Sequence, residues 1–267
     1  MKSSKTQQAK TSTLKNMPDS LHLPRVTYVG FLLRDVVDAN NSVDKVLKIG
    51  YETSKGINFG RKVMYTAQKP NCETYDFDIV EIEPQPWHNY TNWLSKNSAN
   101  MFDTEFMVNF HADGMIQNRA AWTDEFYNYD YIGAPWDSNS NGGNGGFNLR
   151  SKRLCSLLSE IDMSPHTPQK TLDDAEDVLI SRVYADYLTS KGIKFCPLDI
   201  SCRFSTEHYS LNGMDGFKNS FGFHEIDRLF DDEVKKHRES FVSRILDPLP
   251  YEYKTGSSLA GEGVGYN

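Results

Sequence analysis

The amino-acid sequence predicts an α/β fold in which helices flank a mixed, mainly parallel sheet. Between residues 26 and 110, short apolar runs rich in β-branched and aromatic residues alternate with stretches of helical periodicity. This alternation implies parallel pairing, because each crossover helix returns the chain to the same end of the sheet. Ligands of such sheets bind beyond the carboxyl ends of the strands, so residues that follow a strand are of interest.

The first half of the chain supplies strands separated by helices. Strands are predicted at residues 26–33, 62–67, 77–82 and 105–110. A helix after the first strand is predicted from apolar residues at helical spacing, which are Val43, Val46, Leu47, Gly50 and Tyr51. Trp87, Tyr90 and Leu94 fit one face of a second helix.

The second half joins a glycine-rich loop to further helices. The loop runs from Gly142 to Gly146, and the next helix carries an apolar stripe of Leu154, Leu157, Leu158 and Ile161. Another helix opens on acidic residues and is predicted to end at Gly192. Residues 193–196 resemble a short strand, residues 221–224 close the folded part, and a last helix is predicted around residues 239–246.

Length and composition are those of a globular protein with one main domain. The chain has 267 residues, of which 38% are hydrophobic and 24% charged, enough to form a large core. We expect a disordered arm at residues 1–20, a single domain at residues 21–250 and a flexible tail at residues 251–267.

Charge and cysteine usage restrict the class of protein. A formal net charge of −7 argues against a general nucleic-acid binder, which needs a basic face to neutralise phosphates. No apolar run approaches the roughly 20 residues that cross a bilayer, and the N-terminus lacks the apolar stretch of a secretory signal. The four scattered cysteines are interpreted as reduced thiols. These features predict a soluble, cytoplasmic protein without a transmembrane segment.

The residues directly after the strand at 105–110 are candidate metal ligands. Asp113 precedes Gly114, at a position where one carboxylate can hold a divalent cation that bridges phosphate oxygens. His111 is a candidate second ligand or a group that positions the ligand. The alternative is an Asp-Gly turn in which Asp113 bonds its own backbone.

The glycine loop also allows two interpretations. Without side chains at Gly142 to Gly146, a sugar or diphosphate could lie against backbone N–H groups. Alternatively, the segment is a flexible hairpin or surface loop. It matches neither the phosphate-binding loop of nucleotide hydrolases nor the dinucleotide-binding motif.

Four acids crowd the start of the acid-led helix: Asp173, Asp174, Glu176 and Asp177. Acids at this end complement the helix dipole and cap free N–H groups, at roughly 0.3–1 kcal/mol each. The crowding exceeds what capping needs, so one carboxylate is a candidate general base for a bound hydroxyl. Asp177 is the first candidate and Glu176 its competitor.

Late in the chain, His224 follows aromatic residues and glycine in the sequence. It is interpreted either as a structural histidine or as a ligand. Trp136 and Tyr131 are candidates for stacking on a sugar or base, with a place in the core as the alternative.

Several motifs follow one another in a specific order. They are Tyr129 to Trp136 (YDYIGAPW), Gly143 to Arg150 (GNGGFNLR), Glu176 to Val178 (EDV), Phe204 to Glu207 (FSTE) and Phe221 to His224 (FGFH). In this order they resemble an uncharacterised glycosyltransferase-like family, first catalogued as a domain of unknown function. The resemblance is close over roughly residues 100–226.

The resemblance implies a GT-A-like (Rossmann-like) fold and a transferase that uses a nucleotide sugar. A UDP-sugar is the implied donor, and a glycan or other hydroxyl compound the acceptor. Enzymes with this fold usually carry Asp-x-Asp after a strand, where this chain has His111-Ala112-Asp113. Asp113 and the late His224 are thereby implied as ligands of Mn²⁺ or Mg²⁺.

More distantly, the glycine loop followed by Glu-Asp-Val is similar to inverting galactosyltransferases. This similarity implies that Asp177, with Glu176 beside it, is the catalytic base near the acceptor hydroxyl. The substrate-binding residues implied are His111, Trp136, Gly145, Gly146, Phe147 and Arg150, with the glycine loop beneath the transferred sugar.

Two other classes of function stay open. Because His111 replaces the first Asp of the metal motif, a catalytically inactive carbohydrate-binding or assembly protein on the same fold is the main alternative. A metal-dependent phosphoester hydrolase ranks below it, since a pair of close metal ions would need more carboxylates around Asp113.

Overall fold

The structure is a computed structural model that describes residues 20–35, 42–86, 89–139, 141–166, 174–225 and 232–246. The predictions for the N-terminal arm before Ser20, for Trp87, for Asp173 and for the tail at residues 251–267 lie outside these residues.

A six-stranded sheet forms the centre of the molecule. Its strands are β1 (Leu21–Leu32), β2 (Ile57–Thr66), β3 (Asp78–Glu81), β4 (Phe106–Phe110), β6 (Tyr131–Ile132) and β7 (Asn148–Ser151), in the spatial order β3-β2-β1-β4-β7-β6. The strands β3, β2, β1 and β4 pair in parallel, whereas β7 is antiparallel to both of its neighbours. The predicted mixed, mainly parallel sheet is therefore confirmed.

The first strand begins earlier than predicted, at Leu21. This early part of β1 contains Pro24, which cannot donate to a strand ladder. The register between β1 and β2 shifts between Leu23 and Thr27, and this irregularity accommodates the proline.

Helices cover both faces of the large sheet. They are α1 (Val43–Thr53), α2 (Tyr90–Asn97), α3 (Lys152–Glu160), α4 (Glu176–Val178), α5 (Ala185–Ser190), α6 (Leu198–Phe204), α7 (Gly213–Asn219) and α8 (Asp232–Leu246). Because neighbouring residues of a strand face opposite sides, Tyr28 of β1 packs in one cluster with Val46 of α1. Val29 packs in another cluster with Leu94 of α2 and Cys155 of α3.

The acid-led helix differs from its prediction at the start. It begins at Glu176, and Ala175 stands at the N-cap position without a side-chain cap. The carboxylate of Asp174 instead lies 3.0 Å from His166 Nδ1. A π-helical turn at Leu179–Val183 joins α4 to α5, and the helix ends before Gly192 as predicted.

A three-stranded sheet lies beside the carboxyl end of β4. It consists of β5 (Gly114–Ile116), β9 (Gly222–His224) and β8 (Ser205–Thr206), with β9 in the middle. The predicted strand at residues 193–196 was wrong, because only Phe195 forms a β-bridge, with Tyr131. The last helix is longer than predicted and starts at Asp232.

All four cysteine thiols are free; Cys72 is exposed, and Cys155, Cys196 and Cys202 are buried. Within the described ranges, none of the helices is long and apolar enough to cross a membrane.

Candidate functional site

The chain turns sharply between β4 and β5, directly after the buried strand. The backbone N–H of His111 donates to Gly114 O at 3.0 Å, and Gly114 N–H donates to His111 O at 3.3 Å. The Asp-Gly turn foreseen from the sequence therefore exists. It does not exclude the metal-ligand interpretation of Asp113, because the turn directs that side chain toward β9.

His111, Asp113 and His224 form a cluster of potential metal ligands. One ligand atom from each lies within 4.8 Å of the others. His224 Nε2 is 3.6 Å from Asp113 Oδ1. This approach follows from the antiparallel pairing of β5 and β9, which places Gly114 opposite His224. The structure thus brings together residues that are far apart in the sequence.

Glu207 is a further member of this site that sequence analysis did not assign. It follows β8 and is 2% exposed. Its Oε1 lies 3.2 Å from His224 Nδ1 and accepts a hydrogen bond from Asn144 Nδ2 at 3.3 Å. The sequence offered one indication of this role, the position of Glu207 at the end of the FSTE motif. The residue types of that motif do not by themselves indicate a metal or catalytic site.

Burial and mutual attraction set the charges of the cluster. Burial raises the pKa of Asp113, but the neighbouring His224 outweighs burial and holds this pKa below the ordinary aspartate range. Burial lowers the pKa of His224, whereas Asp113 and Glu207 raise it well above the ordinary histidine value. Burial lowers the pKa of His111 to about 4, so that imidazole is neutral near pH 7 and can coordinate a metal ion.

The glycine loop is held in place rather than free. Gly142 and Gly143 have φ angles of 83° and 69°, which favour glycine. The N–H of Asn144 donates to Ala134 O at 2.7 Å, and the Tyr131 hydroxyl donates to Gly143 O at 3.0 Å. These bonds contradict the alternative of a flexible surface loop for residues 142–146.

Gly145 and Gly146 separate the metal-ligand cluster from Asp177. A Cβ atom on Gly146 would lie 2.0 Å from His224 Nε2, and one on Gly145 would lie 3.0 Å from Asp177 Cβ. The Gly145 carbonyl accepts a hydrogen bond from Asn109 Nδ2 at 2.7 Å and another from the Asn148 side chain. The bare backbone therefore touches His224 on one side and Asp177 on the other.

Asp177 lies in the first turn of α4 and is partly exposed. Its Oδ2 accepts a hydrogen bond from Gly145 N–H at 2.8 Å, and its Oδ1 accepts one from Val178 N–H at 2.9 Å. Burial raises the pKa of Asp177 above the ordinary aspartate value, and these two N–H groups oppose the rise. A carboxylate with a raised pKa is a stronger base at neutral pH.

Glu176 and Arg150 occupy the interior, contrary to the direct roles expected for them. The guanidinium of Arg150 donates to both carboxylate oxygens of Glu176, and the side chains are 1% and 4% exposed. Burial lowers the pKa of Arg150, but Glu176 more than compensates and keeps it charged. The two charges are therefore paired with each other inside the protein.

The aromatic residues predicted to contact substrate lie in different environments. Phe147 is fully buried and stacks on Phe204 with ring centroids 5.5 Å apart, so its position does not support the expected substrate contact. Trp136 is partly exposed, and the Arg182 guanidinium lies 4.9 Å from its ring centroid. Tyr131, the other ring predicted to stack, is fully buried, so of these three rings Trp136 alone is partly exposed.

The fold and the site define a mixed α/β protein with a candidate metal centre beyond the carboxyl end of a parallel strand. The chain belongs to the family described as Protein of unknown function (DUF5672), whose sequence profile matches residues 86–224, slightly more than half of the chain. This family agrees with the resemblance found in the sequence motifs.

Among solved structures, the chain is similar to a glycosyltransferase involved in the glycosylation of the major capsid of PBCV-1. The TM-score is 0.45 and the identity 13%, over 80% of this chain and 98% of that chain. No curated protein is found to match the chain.

Proposed function

We propose that this protein is a metal-dependent glycosyltransferase that moves a sugar from a nucleoside diphosphate sugar to an acceptor hydroxyl. One observation carries the proposal. The cluster of His111, Asp113 and His224 lies on one side of the Gly145–Gly146 backbone, and Asp177 lies on the other. Transfer with inversion needs the leaving diphosphate and the attacking hydroxyl on opposite faces of the anomeric carbon. A sugar lying along this backbone would have the cluster toward one face and Asp177 toward the other.

The residues present fit a divalent metal ion. The potential donors are two imidazole nitrogens and one carboxylate oxygen. Mg²⁺ prefers oxygen ligands, whereas imidazole suits transition metals, so this donor set favours Mn²⁺ over Mg²⁺. When bound, the ion would supply positive charge to offset the charge that develops on the diphosphate.

Asp177 is the proposed catalytic base. Its pKa is raised by burial, and backbone N–H groups fix its carboxylate beside Gly145. It would accept the proton of the acceptor hydroxyl as the oxygen attacks the anomeric carbon, with inversion of configuration. The fixed backbone of Gly145 and Gly146 would support the sugar, and Trp136 offers a ring at which a glycan acceptor can stack.

Arg150 and Glu176 are proposed as positioning residues instead of binding or basic groups. Their ion pair joins β7 to the first turn of α4, next to Asp177. This connection fixes the base relative to the glycine loop, which is continuous with β7.

The test compares wild-type protein with D113N and D177N in a thermal-shift screen of nucleotide sugars, with UDP-sugars first, and in a transfer assay. With Mn²⁺ present, the donor should raise the melting temperature of wild type and D177N, because a ligand of the native state stabilises it. D177N should lose transfer by about 10²–10⁴-fold, the usual contribution of a general base. D113N should lose the Mn²⁺-dependent stabilisation. Wild-type transfer rates in folded D177N would contradict the proposal.

The alternative of an inactive carbohydrate-binding protein is supported by one observation, the histidine at position 111 where nucleotide-sugar enzymes usually have aspartate. It predicts that free glycans raise the melting temperature without nucleotide or metal, and that D177N leaves this binding unchanged.

A further inference from the structure

The imidazole of His224 is contacted by a carboxylate at each of its nitrogens. Nε2 faces Asp113 Oδ1 at 3.6 Å, and Nδ1 lies 3.2 Å from Glu207 Oε1. The contacts therefore assign different partners to the two nitrogens.

A metal-bound histidine binds through one nitrogen and donates its other N–H to a neighbouring acceptor. When that acceptor is a carboxylate, it fixes the tautomer and the orientation of the ring and makes the imidazole a stronger ligand. In this site the Nδ1–H of His224 can donate to Glu207. Nε2 then points toward Asp113, within the cluster that includes His111, and would be available to a metal ion that displaces its proton.

We infer that Glu207 is a positioning residue that holds His224 in the tautomer and orientation needed for metal binding. The inference rests on the metal site of the proposed function. Potential ligand atoms of Glu207, His224 and Glu225 also lie within 4.8 Å of one another. A metal ion there would have to use His224 Nδ1, which already contacts Glu207, whereas Nε2 is directed at Asp113.

The backbone around Glu207 maintains this alignment. In the parallel pair of β8 and β9, Thr206 is opposite Phe223, so the residues that follow them, Glu207 and His224, are also neighbours. Arg238 of α8 donates to Thr206 O at 2.7 Å and to His224 O at 2.8 Å. Arg238 thus links β8 and β9 through hydrogen bonds at Thr206, which precedes Glu207, and at His224 itself.

Glu207 also connects His224 to the glycine loop. Asn144 donates through Nδ2 to Glu207, and its Oδ1 accepts the N–H of Gly146. Gly146 in turn packs against the His224 ring, where a Cβ would collide with Nε2. One carboxylate therefore fixes both the imidazole and the backbone proposed to lie beneath the sugar.

The experiment measures Mn²⁺ binding by isothermal titration calorimetry and by the electron paramagnetic resonance of free Mn²⁺, without any sugar. E207Q should weaken Mn²⁺ binding by about 10–100-fold, the usual cost of losing such an orienting partner, at unchanged stoichiometry. E207D keeps the charge and should recover part of the affinity. D44N is the control, since it alters a buried, hydrogen-bonded carboxylate in another part of the fold, and should bind Mn²⁺ about as tightly as wild type.

A second measurement reports the tautomer directly. In protein labelled with ¹⁵N-histidine and loaded with diamagnetic Zn²⁺ as a probe, His224 of wild type should show a protonated Nδ1 and a metal-shifted Nε2. In E207Q this signature should become mixed or disappear, even if the variant binds Zn²⁺ at high concentration.

The outcomes separate this inference from the proposed function. Equal Mn²⁺ affinities for wild type and E207Q, or an equal loss in D44N, would overturn the role of Glu207. Absence of any Mn²⁺ and Zn²⁺ binding by wild type would overturn it as well. Tight Mn²⁺ binding that depends on Glu207, without sugar transfer to any acceptor, would count against the glycosyltransferase alone.

Discussion

At the scale of single residues, the site depends on the absence of side chains as much as on their presence. Gly145 and Gly146 allow the backbone to pass between Asp177 and His224. A Cβ on Gly146 would collide with His224 at 2.0 Å, and one on Gly145 would crowd Asp177 at 3.0 Å. A backbone segment without side chains therefore lies between the cluster of potential metal ligands and Asp177. Substitution of each glycine should affect a different half of the site.

The variant G146A should lose Mn²⁺ affinity by at least about tenfold, because its new methyl group would force the His224 ring out of position. G145A meets Asp177 instead and should keep Mn²⁺ affinity while transfer slows. Overpacking should cost each variant about 1–3 kcal/mol of stability. Calorimetric titration with Mn²⁺ and a transfer assay check this prediction, and it fails if both variants lose the same property.

At the scale of secondary-structure elements, the decisive contact is the ion pair between β7 and α4. Arg150 and Glu176 are both inside the protein, where each charge depends on the other. The short helix α4 is only one turn long and is followed by a π-helical turn, so its own hydrogen bonds hold it weakly. The orientation of Asp177 therefore depends on this tertiary contact.

R150M and E176M should each lower the free energy of unfolding by about 3–5 kcal/mol, since each leaves an uncompensated buried charge. The double variant R150M/E176M should recover much of this loss, because apolar side chains of similar volume can replace a buried pair. Transfer should remain slow in all three, as α4 is no longer fixed. Urea unfolding of the wild type, both single variants and the double variant provides a double-mutant cycle. A loss of unfolding free energy below about 1 kcal/mol in either single variant would contradict the prediction.

At the scale of the whole molecule, the metal site links stability to pH. The pKa of His224 is raised in the folded protein, so its contribution to stability is present below about pH 6.5 and is lost as the pH rises through the folded pKa. His111 acts in the opposite direction. Its folded pKa of about 4 means that stability is lost as the pH falls from about 6.5 toward that value.

Because Mn²⁺ competes with the proton on His224, the stabilisation by Mn²⁺ should increase as the pH rises from about 6 to 8, and binding should release a proton. Melting temperatures with and without Mn²⁺ across this range, and calorimetry in buffers of different ionisation enthalpy, test the prediction. D113N should show no such dependence. A Mn²⁺ effect that decreases with pH would contradict it.

The sequence anticipated the regular elements better than their ends. Helical periodicity located α1 and α3, and apolar runs located β2, β3 and β4, because both patterns are consequences of local backbone geometry. The prediction of a strand at residues 193–196 was wrong. An apolar run becomes a strand only where a neighbouring segment pairs with it along its length, and here only Phe195 forms a β-bridge.

The candidate site was predicted in part. Asp113, His224, Asp177 and the glycine loop were singled out from the sequence, and the structure brings them together. Glu207 was missed. Arg150 and Phe147 were predicted to bind substrate, and Glu176 to compete with Asp177 as the base, although all three are buried. A residue type and its spacing indicate what a side chain can do, but burial depends on which distant segment covers it.

By itself, the sequence determined the α/β class, the order of the elements and the residue types available for chemistry, since periodicity and composition are local properties. The tertiary structure alone decided the partners: Glu207 for His224, Arg150 for Glu176, and bare glycine backbone between the potential metal ligands and Asp177. These contacts join segments far apart in the chain, and their strength comes from burial and geometry that exist only after the sheets have packed.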